Sequence, residues 1–233
     1  MKVIQPNCRV QFTAEDIDFI MATLGKKDGA PSLAALLADL ESRDLILDND
    51  ALFHALLEQR GCLRVSCHFY FYVLVRHVLR ESGLDDRSVA DYVAEMLAEF
   101  SQTERGRLAV PGQAGLLDYF FEMLAALQTA DDHTAFCIRA HIGNHSLFLS
   151  GVFPEHIRHR AERRGAPGLS YYEQLGRANY RAASTHRLAA RYDLAAVFDT
   201  LAERFEPARR ALNDLAERVM SLGDPELPHF LKS

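Results

Sequence analysis

The chain reads as an all-α protein, a single globular multi-helix bundle of about nine or ten helices, and three observations carry that expectation. Apolar residues recur at three- and four-residue spacing along most of its length. Ser, Thr or Asp stand ahead of those stretches, and Gly or Pro close or open them, as helix caps require. No two stretches alternate apolar and polar residues about a short turn, the mark of a hairpin. At 233 residues the chain can bury a sizeable core.

Residues 1–12 read as an extended arm. Thr13 with Asp16 three positions on forms a capping box, and the helix it opens stops at Gly25. A second helix is expected over 32–42, with Leu33, Leu36, Leu37 and Leu40 on one face. Asp48 or Asn49 caps a third, through Gln59, with Leu52, Phe53, Leu56 and Leu57 inward and Gly61 as the stop. Ala-Leu-Leu occurs at 35–37 and at 55–57, one echo where a solenoid needs several copies.

Residues 66–82 form the most hydrophobic element. The run 69–75 is apolar in every direction, which places this helix near the centre of the bundle. Its aromatic and β-branched content also suits a strand, but its length between Ser66 and Gly83 favours a helix. Asp85 or Asp86 caps the next helix, to Phe100, with Val89, Tyr92, Val93, Met96, Leu97 and Phe100 as its core stripe.

Residues 101–114 are the longest irregular stretch and the place for a subdomain boundary within one helical domain, 1–233. Residues 116–127 read as an apolar helix, and Asp131 or Asp132 opens another that ends near Gly151. Pro154 sits at a first-turn position and starts a helix to Arg164. Gly165 and Gly168 break the chain, and Ser170 with Glu173 reads as a capping box for a helix to Ser184. The last helical region spans 186–220, kinked at Pro207 or restarted there with Glu206 as cap.

Charge narrows the functional classes. The net charge is −6, so the whole chain does not attract nucleic acid, and a nucleic-acid partner is not expected. A helix-turn-helix over 32–60 is set aside because the connection 43–47 is longer than such motifs use. Residues 156–191 nevertheless hold eight arginines against Glu162 and Glu173, which leaves the remainder at −12. Only four of the 26 basic residues are lysines, a skew typical of a GC-rich, bacterial-type coding sequence. Cys8, Cys62, Cys67 and Cys137 form no C-x-x-C pair and read as small buried hydrophobes of a reducing compartment. With no leader-like apolar segment and no run long enough to span a bilayer, the expected location is the cytoplasm, without a membrane partner.

Two constellations could carry function. The first is the arginine segment: Arg158, Arg160, Arg163, Arg164, Arg177 and Arg181, interleaved with Tyr172 and Tyr180. Planar guanidinium groups suit carboxylate or phosphate, so this segment is the expected site for an anionic ligand or an acidic protein surface. The competing account is that these arginines pair inside the fold, with Glu95, Glu99, Asp118 or Glu122.

The second is a line of His133, Cys137, His141 and His145, one helical turn apart. His141 and His145 resemble the two metal ligands of a zincin, but Ile142 stands where that family has its catalytic Glu. A metal would take His141, His145 and a third ligand such as His156, His68 or His77. A ferritin-like di-iron site needs Glu-x-x-His on a helix, and the one instance, Glu226 with His229, is interrupted by Pro228. Glu155, His159 and Glu162 share a helix face as a heme-oxygenase-like site would want, yet arginines surround them.

No nucleophile elbow, P-loop or dinucleotide fingerprint is present. The leading expectation is therefore a non-enzymatic binding or regulatory module that engages an anionic partner through 156–191, with no cofactor. A helical metalloprotein or heme-oxygenase-like enzyme with a His-held metal ion is the alternative. A homodimeric assembly protein is the third reading.

Overall fold

The computed structural model describes residues 3–25, 30–58, 64–102, 108–110, 116–117 and 119–221. Among these the protein is all-α, with thirteen helices and one minimal β-ribbon. After a single 3-10 turn at Cys8–Val10 come α1 (Ala14–Leu24), α2 (Ala30–Ala38), α3 (Leu40–Leu47) and α4 (Asp50–Glu58). Then follow α5 (Cys67–Glu81), α6 (Arg87–Phe100), β1 (Leu108–Ala109), β2 (Leu116–Leu117), α7 (Phe120–Leu127) and α8 (Asp132–Val152). The chain continues through α9 (Pro154–Arg164), α10 (Leu169–Ser184), α11 (Arg187–Arg191), α12 (Ala195–Glu203) and α13 (Phe205–Ser221).

Local signals set most of these boundaries. Thr13 and Asp16 make the full capping box on α1, and Ser66, Asp86 and Asp131 accept backbone N–H groups at the starts of α5, α6 and α8. Pro154 is the first residue of α9, and Gly165 ends it in the left-handed region at φ 61°, where a Cβ would be strained.

Four expectations need correction. The second helix is two helices: Asp39 turns extended and accepts from the Ser42 N–H, so 40–47 becomes α3 and the joint to α4 is only Asp48 and Asn49. The length argument against a helix-turn-helix therefore falls; the acidity of α3 and α4, with Glu41, Asp44, Asp50 and Glu58 against Arg43, still disfavours phosphate there. Residues 116–117 form a strand paired antiparallel with 108–109, because Leu117 is drawn into an apolar cluster that the ribbon covers. Ser170 does not cap α10; Gly168 is extended and the helix is already under way at Leu169, while Glu173 reaches across to Arg209 of α13 at 2.6 Å. The region 186–220 is three helices, broken at Asp193 (φ 55°) and at Arg204, with Pro207 in the first turn of α13.

The main core draws side chains from Cys8 to Val219. Helix α5 supplies ten buried residues and packs against α6 and α13. At about 1.5–3 kcal/mol for each large apolar side chain, this one helix is the largest local source of stability. Helix α8 is the second axis. One side, Phe136, Cys137 and Ala140, joins the main core. The other, Ile138 and Ile142, meets a smaller cluster of Leu108, Val110, Leu117, Met123 and Ala126. Between the two clusters the helix also buries polar side chains, among them Thr134, Asn144, Ser146 and Ser150. Asn144, 3% exposed, accepts hydrogen bonds from the hydroxyls of both Tyr92 (2.9 Å) and Tyr180 (2.8 Å), tying α6, α8 and α10 together.

The N-terminal arm is anchored by charge. Arg9 donates to both Asp91 (3.0 Å) and Asp44 (2.8 Å), linking the arm to α6 and α3. Below it Arg76, 1% exposed, bridges Asp48 at 2.8 Å and Asp85 at 2.5 Å. No helix among the described residues is long and apolar enough to cross a membrane.

Candidate functional site

The arginine segment is built on α9 and α10. Helix α9 shows the core only Pro154 and Ile157, so every other side chain of its eleven residues is at least partly solvated. His156, Arg158, His159, Arg160, Arg163 and Arg164 are all exposed. Arg158 is engaged with Glu155 one turn back. Arg160, Arg163 and Arg164 have no carboxylate within ion-pair distance among the described residues. Arg163 and Arg164 also lie in the last turn, where the helix dipole favours positive charge, so the fold tolerates them there without a partner.

The other members of the predicted set are spent internally. The Arg177 guanidinium donates to the Ala202 carbonyl at 3.2 Å. Arg181 pairs with Asp199 (3.0 Å) and Glu203 (3.3 Å) of α12. Tyr180 has no exposed surface; burial and the nearby Tyr92 phenol hold its hydroxyl well above the ordinary phenol range. The internal partners are on α12, not at the Glu95, Glu99 or Glu122 named from the sequence, and Asp118 lies outside the described residues. The free cationic group is thus Arg160, Arg163 and Arg164, with Arg158 beside them.

Tyr172 lies half-buried at the start of α10. Burial pushes its phenol up, and the adjacent Arg160 guanidinium offsets part of that effect. Its ring meets Phe120 of α7 edge-on at 5.7 Å, and Phe120 in turn lies 5.2 Å from the His145 ring. The histidine line and the arginine face are therefore joined through two aromatic rings. Around that joint the surface is apolar: Tyr119 is 58% exposed, Phe121 69% and Tyr171 39%. Tyr119 and Phe121 stack at 5.6 Å, and Tyr171 meets Tyr172 at 5.8 Å. Sequence reading missed this patch; its signal was the spacing of Tyr119, Phe121 and Leu124 on the solvent side of a short amphipathic helix.

The histidine line divides as well. His133 is exposed, with its Nδ1 at 3.9 Å from the buried Cys137 sulfur, whose thiol burial pushes up. His141 and His145 cross edge-on at 5.7 Å, and both lie against Phe100. His156 is on the solvent side of α9. Among the described residues no three His, Cys, Asp or Glu side chains come together as a metal ion would need. The Glu226–His229 segment lies outside the described residues.

Comparison with known protein families, with curated proteins and with solved structures finds no match.

Proposed function

We propose that this chain is a non-enzymatic binding module whose surface at α7, α9 and the start of α10 engages an acidic protein partner. The observation that carries this reading is the combination of three unpaired arginines on α9 with exposed aromatic rings on α7 and α10, linked where Arg160 approaches Tyr172 and Tyr172 meets Phe120. Arginine and tyrosine are the residues most enriched at interface hot spots, since both offer large contact area and directed hydrogen bonds. An apolar anchor would sit on Phe121 and Tyr171, and carboxylates beside it would meet Arg160, Arg163 and Arg164. A phosphate ligand would find guanidinium groups but no use for the aromatic rings.

The test is fluorescence anisotropy with a labelled peptide of glutamates interspersed with leucine and phenylalanine. Binding is expected, weaker as salt is raised, and reduced about tenfold or more by Arg163→Ala with Arg164→Ala and separately by Phe121→Ala. Wild-type affinity in both variants overturns the reading.

A further inference from the structure

On the side of the molecule where the N-terminal arm meets α6, a cavity of about 140 Å³ opens between Asn7, Gln11, His68, Glu95, Glu99 and Gln102. Its central group is Glu95, whose side chain is only 4% exposed. A carboxylate that is nine-tenths buried needs hydrogen bonds to offset its lost hydration. Three groups approach it, and all three converge on one oxygen. The Cys8 thiol donates to Oε2 at 3.3 Å, the Gln11 amide at 3.0 Å, and His68 Nε2 lies 3.5 Å away. The other oxygen, Oε1, receives no donor among the described residues. The Gln11 amide nitrogen is taken up by Asn7 and Glu95, so the Gln11 side-chain carbonyl is a second acceptor without a donor among the described residues.

The missing complement is a hydrogen-bond donor, and its charge follows from the walls. The buried Glu95 carboxylate lines the cavity, which disfavours an anion. The cavity lies against the C-terminal end of α6, where the helix dipole favours positive charge. Too few metal-ligating side chains converge there for a metal ion. Amide and carboxylate walls are wrong for a purely apolar guest. The volume resembles the roughly 150 Å³ that accepts a benzene ring, so the guest has about six heavy atoms.

We propose that this cavity binds a small primary amine in its ammonium form, with Glu95 Oε1 and the Gln11 carbonyl as acceptors. The cavity and the arginine face share no residue, so either could fail without the other.

Calorimetric titration of the full chain with n-butylammonium chloride tests this, with n-butanol as the neutral control. Butylammonium is expected to bind and butanol not. Glu95→Gln removes the charge while keeping the size, and should weaken butylammonium about tenfold or more. Gln102→Trp fills the solvent-side mouth without touching the buried groups, and should weaken it similarly with an unchanged melting temperature. Arg163→Ala should leave it unaltered. No binding to the wild type, equal binding of butanol, or undiminished binding to a folded Gln102→Trp variant overturns the proposal, and that last variant decides the matter if Glu95→Gln does not fold.

Discussion

The Asp16 carboxylate of α1 accepts both the backbone N–H and the hydroxyl of Ser66, 50 residues along the chain, at 2.7 Å each. It also accepts the Thr13 N–H at 2.7 Å. One fully buried side chain thus completes the N-terminus of α1 and holds the capping residue of α5. Asp16→Ala should lose about 2–4 kcal/mol, because two backbone donors and a hydroxyl are stranded at once. Urea denaturation measures it, and a loss under about 1 kcal/mol, the typical cost of a lone cap, would show that the link to Ser66 carries little.

Arg76 gives a second stability prediction. It is buried against Asp48 and Asp85, and Asp48 is shared with Arg87 at 2.7 Å. Breaking a buried ion pair costs about 3–5 kcal/mol when the remaining charge is uncompensated; Arg87 still pairs with Asp48, so Arg76→Met should cost somewhat less, about 2–4 kcal/mol. Adding Arg87→Met should cost more than the sum of the two single losses, since Asp48 then loses both guanidinium partners. A double variant whose loss only equals that sum contradicts this.

Acid sensitivity should come from His77 first. Burial lowers its affinity for a proton, more than Glu81 and Asp50 raise it, and its ring stacks on Phe53 at 3.7 Å. A base whose folded pKa lies below its unfolded value contributes stability above the unfolded pKa and loses it as pH falls. With an unfolded value near 6.5, the loss begins below about that pH. Burial raises the Asp48 carboxyl, but its bonds to Arg76 and the charges of Arg76, Arg87 and Arg80 outweigh this and lower it overall. An acid of lowered pKa loses its contribution only further down, below about pH 4. The melting temperature of the wild type should therefore drop relative to that of His77→Phe as pH falls from 7 to 5. Parallel profiles would remove His77 from the account.

Helix α10 approaches its neighbours through glycine. A Cβ on Gly176 would stand 2.3 Å from the Phe205 ring, and one on Gly143 would stand 2.7 Å from the Tyr180 ring. Alanine normally favours a helix over glycine by about 1 kcal/mol. Here the clash should win, and Gly176→Ala should destabilise by about 1–3 kcal/mol. A rise in melting temperature would mean that the rings move aside at little cost.

Arginines should separate into two kinds. Arg209 is buried and paired with Glu173 at 2.6 Å, so Arg209→Met should cost about 3 kcal/mol or more. Arg163→Ala with Arg164→Ala should change stability by less than about 1 kcal/mol, since only a helix-end interaction is lost. Chemical denaturation of both variants checks the contrast, and a large loss from the α9 pair would mean that those side chains hold the fold.

The helices and most of their ends were legible from residue order, because a cap and an apolar period act within one or two turns. Thr13, Ser66, Pro154 and Gly165 each stand beside the backbone groups they serve. Ser170 misled because Gly168, two residues earlier, had already started the helix and Glu173 had a remote partner. The ribbon at 108–109 and 116–117 was hidden for a similar reason: Leu117 lies in a cluster supplied by α7 and α8, which nothing local announces.

By itself the sequence determined that this protein is helical, that 66–82 lies inside it, and that positive charge gathers on 156–191. Those properties follow from composition and spacing along the chain. Only the tertiary structure decided which of those arginines remain free. Arg177 and Arg181 find acceptors on α12, some twenty residues on, while α9 presents Arg160, Arg163 and Arg164 to solvent. An ion pair needs two side chains within 4 Å, and that distance is set by how helices pack, which spacing along one helix does not contain.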